Sequence, residues 1–98
     1  MSVNERPMYE VRLRSKRVQR ELDSLRESDF QRVLARMIAL AHEARPRGCE
    51  KLYGEIYRVR VGDFRIIYLI DQEHKRIEVG GIRRRSEGTY KQVENLFR

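Results

Sequence analysis

Of the 98 residues one is cysteine, two are proline and none is tryptophan. A lone thiol, Cys49, has no partner for an internal disulfide and is too little sulfur for a cysteine zinc site. That suits a reducing cytoplasm. Neither histidine, His42 on a helical stretch or His74 in a polar turn, has ligand spacing around it. No metal and no cofactor are therefore expected. A Cys49–His nucleophile pair finds no support, and Gly80-Gly81 alone falls short of a phosphate loop. No apolar run approaches the roughly 18 residues of a membrane span, and the N-terminus lacks a signal-peptide core. A cytoplasmic protein without a membrane partner is the expectation. At this length one domain is expected, residues 8–98, behind a loosely ordered polar leader, residues 1–7.

Negative charge is also scarce. Asp and Glu number 15 against 22 Lys and Arg, leaving +7. The basic residues are 18 Arg and only 4 Lys. Guanidinium forks match phosphate and carboxylate bidentately, which an ammonium does not. The imbalance therefore points to a polyanionic partner.

The apolar pattern has two periods. Met8 to Leu13 reads as a strand, and Ser15 as an N-cap. Val18, Leu22 and Leu25 then recur at helical spacing for about three turns. Glu27-Ser28-Asp29 interrupts, and a second helix carries Phe30, Val33, Leu34, Met37, Ile38, Ala41 and Ala44 on one stripe. Arg45-Pro46-Arg47-Gly48 ends it. From Tyr57 onward the period is two. Gly62-Asp63 suits a two-residue type II′ turn. That turn sets Val61 opposite Phe64, Val59 opposite Ile66, and Tyr57 opposite Tyr68, all on the face under the helices. Arg58, Arg60 and Arg65 fall on the other face, with Arg60 facing Arg65, although facing like charges are destabilising. The next strand, Arg76 to Ile82, changes parity across Gly80-Gly81. A bulge there would bring Arg83 and Arg85 to the same face, with Tyr90 close behind and Arg84 turned away. A short helix around Val93, Leu96 and Phe97 closes the chain. The expected fold is α+β: a helix hairpin on a four-stranded, mainly antiparallel sheet, in order β-α-α-β-β-β, plus the C-terminal helix.

The plain alternative for the arginine cluster is a solvated sheet face, and for Tyr90 ordinary packing. Interleaving of the arginines with Ile56, Ile67 and Leu69, rather than with Glu or Lys, argues for a bound partner.

The segments KLYGEIYRVRVGDFRIIYLID and GIRRRSEGTYK closely resemble the RelE/ParE superfamily of type II toxins, over roughly residues 8–91. The resemblance implies a RelE-like fold. In its RelE branch it implies a metal-independent endoribonuclease that cuts mRNA on the ribosome, leaving 2′,3′-cyclic phosphate and 5′-OH ends. Carried over, the catalytic set is Arg58, Arg60, Arg65, Arg83 and Tyr90, with Arg85 and Lys91 binding substrate. Where some members carry Lys, this chain has Arg58 and Arg60. Arginine does not give up its proton, so charge stabilisation replaces a general-base role there. The resemblance also implies a cognate antitoxin, whose acidic segment covers the basic face with Ile56, Ile67 and Leu69 as apolar purchase. The ParE branch, which poisons DNA gyrase, is the alternative. A degenerate toxin that only binds its antitoxin is the third reading.

Overall fold

The protein is described here by a computed structural model, over residues 7–85 and 93–98. The leader, apart from Pro7, lies outside the described residues. Five strands are present: β1 (Glu10–Leu13), β2 (Glu50–Tyr53), β3 (Ile56–Val61), β4 (Phe64–Asp71) and β5 (Arg76–Arg84). Two helices, α1 (Lys16–Asp23) and α2 (Glu27–Leu40), separate β1 from β2, and a 3-10 helix (Val93–Phe97) ends the chain.

The strands form one mixed sheet in the order β1-β5-β4-β3-β2. β1 runs parallel to β5, and every other pairing is antiparallel. The expected sheet had four strands; β2 is the addition. It is short and largely exposed, so no burial pattern betrays it. It is held by pairing to β3 across a turn in which Gly54 takes a positive φ of 55°.

The β3–β4 register is the one expected. Val61, Val59 and Tyr57 face Phe64, Ile66 and Tyr68, and Arg60 faces Arg65. Gly62 has a positive φ and Asp63 does not, as a type II′ turn requires. The helix-facing side chains of β3, β4 and β5 join Val18, Leu22, Val33, Met37 and Leu40 in one core. Fully burying each such side chain contributes about 1.5–3 kcal/mol. Ser15 stands at the N-cap of α1 without a side-chain cap bond. α2 begins earlier than expected, at Glu27, with Glu27 and Asp29 in its first turn, where carboxylates favour the helix dipole. The expected stripe on α2 is corrected at one position. Ile38 is 56% exposed, and Leu40 is buried in its stead, because at 3.6 residues per turn Leu40 lies only about 20° around the helix from buried Val33, whereas Ile38 lies about 140° from it.

At the centre of the core the Tyr68 hydroxyl donates to the Ala44 carbonyl at 2.7 Å, beyond the end of α2. Burial, first of all, raises the pKa of this phenol. The bond ties the chain leaving α2 to the central strand. Tyr68→Phe keeps the ring but strands a carbonyl. It is expected to lower unfolding free energy by about 1–3 kcal/mol, read as a lower urea midpoint at unchanged m-value.

Candidate functional site

The opposite face of the sheet is divided in two. Its middle is apolar: Ile56 and Ile67 pack with Val93, Leu52, Leu69, Leu96 and Phe97. Ile56 and Ile67 are only 4% and 2% exposed. The expectation that they offer apolar purchase to a partner is therefore corrected. In this fold the chain's own C-terminal 3-10 helix covers them, and Leu69 is half-buried against it.

The half toward the β3–β4 turn is basic, and a bulge builds it. Tyr68 pairs with Val79 but Ile67 with Gly81, so Gly80 is the extra residue. The parity change puts Ile82 beside Ile66 in the core and sets Arg83 opposite Arg65. With Arg60 opposite Arg65, one cross-strand row reads Arg60–Arg65–Arg83. Facing side chains in such a ladder have Cβ atoms about 4.5–5.5 Å apart. Arg58, one step further along β3, faces Ile67.

Two carboxylates not foreseen in the sequence restrain the flanks of the row. Glu50, opposite Arg58 on β2, holds the Arg58 guanidinium in an ion pair. Glu21, on α1, does more. Its Oε2 accepts from Arg83 Nη1 at 2.7 Å and from Arg17 Nη1 at 2.7 Å, while its Oε1 accepts the Ile82 backbone N–H at 3.0 Å. Arg17 Nη2 also donates to the Gly80 carbonyl at 2.9 Å. β1 pairs no further than Leu13↔Val79, so the β5 edge beyond it needs other partners. Side chains of α1 supply them, and Arg83 is drawn toward that edge. The Arg17/Glu21 spacing of four was visible in the sequence as a helical pair; its long-range partners were not.

Arg60 is exposed, and Arg65 is half-buried. Arg85 lies just past β5, its N–H donating to the Asp63 carbonyl at 2.8 Å. Arg65, Arg84, Arg85 and Asp63 line a hollow at the hairpin end. Alternation sets Arg84 opposite Phe64, as expected, with its guanidinium carbon 5.0 Å from the Phe64 ring centre, but its side chain also reaches the hollow beside Arg65. The structure thus places Arg60, Arg65 and Arg83 in one row, with Arg58 beside it. Tyr90 and Lys91 lie outside the described residues. His74 makes a local contact: its Nδ1 sits 2.9 Å from Asp71 Oδ2. The His74 backbone N–H, first of all, lowers the Asp71 pKa. Among the described residues no group of His, Cys, Asp and Glu could hold a metal, and no helix is long and apolar enough to cross a membrane. Chemically, the row can hold a phosphate and stabilise charge that builds on it.

A sequence model identifies the family, and solved toxin structures share the fold. The family model described as ParE toxin of type II toxin–antitoxin system, parDE, matches residues 13–88. The chain is similar to the structure of the archaeal RelE–RelB complex from Pyrococcus horikoshii OT3, at 28% identity and a TM-score of 0.71, over 83% of this chain and 99% of that one. The Mycobacterium tuberculosis toxin–antitoxin complex RelBE2 matches at 24% identity and 0.69, over 80% and 98%. The isolated Escherichia coli RelE toxin shares the fold at 12% identity and 0.69, over 89% and 92%. No curated protein matches the sequence.

Glu21→Ala is expected to destabilise the fold by about 1–3 kcal/mol, since it leaves the Ile82 N–H without its acceptor. With Arg83→Ala it should show a coupling of roughly 0.5–3 kcal/mol in a double-mutant cycle followed by urea unfolding. Strictly additive losses would mean that Glu21 does not hold Arg83.

Proposed function

The chain belongs to the ParE toxin family of type II toxin–antitoxin systems, within the RelE/ParE superfamily, and on that premise we propose that it stops translation by cutting mRNA on the ribosome. The observation that carries this reading is the Arg60–Arg65–Arg83 row, three guanidinium groups set side by side from three strands. In the proposed reaction a ribose 2′-oxygen attacks the adjacent phosphorus. The bond from phosphorus to the 5′-oxygen breaks, leaving a 2′,3′-cyclic phosphate and a 5′-OH. Overall one proton passes from the 2′-hydroxyl to the departing 5′-oxygen. Negative charge grows on the phosphorane oxygens, and fixed guanidinium groups lower the energy of that state. No metal is required by this scheme.

Each residue has a role in the reading. Arg65, in the middle of the row, grips the scissile phosphate, with Arg60 and Arg83 on either side. Arg58, braced by Glu50, adds positive charge one step away. Arginine is not a proton acceptor or acid in proteins, so groups of the RNA or the ribosome carry the proton. Tyr90 orients the target base by stacking, and Arg85 and Lys91 hold neighbouring phosphates. The partner that restrains the toxin is an antitoxin whose acidic segment lies over the basic half of the face. The archaeal neighbour, solved as a RelE–RelB complex, supports such a partner. Both partners act in the cytoplasm.

A second reading is favoured by the family model, whose description is that of ParE: inhibition of DNA gyrase. The two are separated by mapping mRNA 5′ ends on ribosomes and by a gyrase supercoiling assay, each run with the purified toxin.

For the ribonuclease reading, Arg65→Ala and Arg83→Ala are each expected to slow cleavage of ribosome-bound mRNA by about 10²–10³ and to abolish growth inhibition. Arg84→Ala should leave the rate nearly unchanged. Circular dichroism serves as the check on folding. Wild-type cleavage by both of the first two variants would remove the row from the chemistry and make gyrase the leading target. Antitoxin binding should weaken steeply as salt rises; an affinity flat from low to high salt would exclude the acidic segment.

A further inference from the structure

The basic character does not stop at the row. β2 pairs with β3 as far as Glu50↔Arg58, so the outer edge of β3 is uncovered by β2 from Val59 onward. The chain approaching β2 passes beside this edge at Arg47 and Gly48. Gly48 has a φ of 89°, and nothing lies within 4 Å of the place a Cβ would take. Arg36, on α2, reaches the same hollow, whose volume is about 370 Å³. Its lining is Arg36, Arg47, Gly48, Arg58, Val59 and Arg60, without a carboxylate.

Neighbouring arginines are neutralised: Arg32 by Asp29, Arg45 by Glu55, and Arg58 by Glu50. Among the described residues, Arg36, Arg47 and Arg60 have no ion pair. The buried Nε of Arg36 has no hydrogen-bond partner either. Like charges gathered in a cleft repel one another and focus a positive potential on it. An anion that enters relieves both.

We propose that this groove is a second phosphate-binding site, taking the backbone of single-stranded RNA where the strand leaves the Arg60–Arg65–Arg83 row. The choice of RNA rests on the ribonuclease reading; the groove itself rests on the geometry. Arg60 belongs to both row and groove, so a strand gripped at the row runs into the groove without a break. Val59, the one apolar side chain of the lining, is itself buried in the core, so the groove gives an amphipathic protein segment no stripe to cover. Arg36 and Arg47 are here binding residues, apart from the chemistry.

The test is the salt dependence of binding to a fluorescein-labelled 2′-O-methyl oligoribonucleotide, which cannot be cleaved and so reads binding alone. For single strands the slope of log K against log salt is about −0.7 per phosphate contact. Arg36→Gln with Arg47→Gln should make that slope shallower by about 1.4. Lys16→Ala with Arg20→Ala, on α1 beside β5 and so away from the β3 edge, removes the same charge and should leave the slope unchanged. Thermal melts confirm that both double variants are folded. An unchanged slope in the groove variant, or an equal change in the α1 variant, overturns the proposal. So does a groove variant that loses affinity for an acidic peptide while keeping its RNA slope, or one that loses only duplex DNA binding. Cleavage of ribosome-bound mRNA by the wild type, scored separately, decides the ribonuclease reading whichever way the slopes fall.

Discussion

Between the Ile67↔Gly81 and Tyr68↔Val79 pairs β5 carries one residue more than β4, and both faces of the sheet depend on it. Without Gly80 as the extra residue, strand alternation would turn Ile82 out of the core and Arg83 toward the helices. With it, Ile82 packs beside Ile66 and Arg83 joins Arg65. Glycine also makes room there: a Cβ on Gly80 would lie 2.4 Å from the tip of the Phe97 ring, which would have to shift. The same position thus sets the phase of the strand and admits the C-terminal 3-10 helix over Ile56 and Ile67. One backbone irregularity separates a covered apolar patch from an exposed basic one.

The row is electrostatically unfavourable as it stands, since like charges opposite one another in a sheet destabilise it. The fold distributes the relief unevenly. Glu21 and Glu50 restrain Arg83 and Arg58 at the flanks, whereas exposed Arg60 has no ion pair among the described residues. Holding a guanidinium by a carboxylate lowers its freedom to move and also part of its pull on a phosphate. Arg83 and Arg58 are thus held in place, while among the described residues no carboxylate holds Arg60.

Much of this was legible in the residues. Strict alternation around Gly62-Asp63 is enough to set the β3–β4 register, because a slip of one residue would turn one strand's whole inward apolar set out of the core. The parity break at Gly80-Gly81 announces the bulge. Other features were hidden for physical reasons. β2 has neither alternation nor a buried face; pairing alone makes it a strand. Ile38 and Leu40 are equally apolar, and only Leu40 lies on the α2 face that Val33 and Met37 turn to the sheet. Glu21 and Glu50 are ordinary surface carboxylates in the sequence, and their work lies in contacts far along the chain. Alternation and the parity break brought the arginines to one face, and the likeness to known toxins implied a shared role for them, but the carboxylates that steady them came from geometry. Tyr90 and Lys91 lie outside the described residues.

The parallel pairing of β1 with β5 has a consequence in time. Glu10 pairs with Arg76 and Leu13 with Val79, so the first strand made must wait for the last before it has a partner. Contacts so distant along the chain form late and slow folding. The row shares the delay, since Arg60 and Arg65 are synthesised well before Arg83 arrives. A nascent chain therefore carries scattered arginines and no assembled row until β5 has emerged to pair with both β1 and β4.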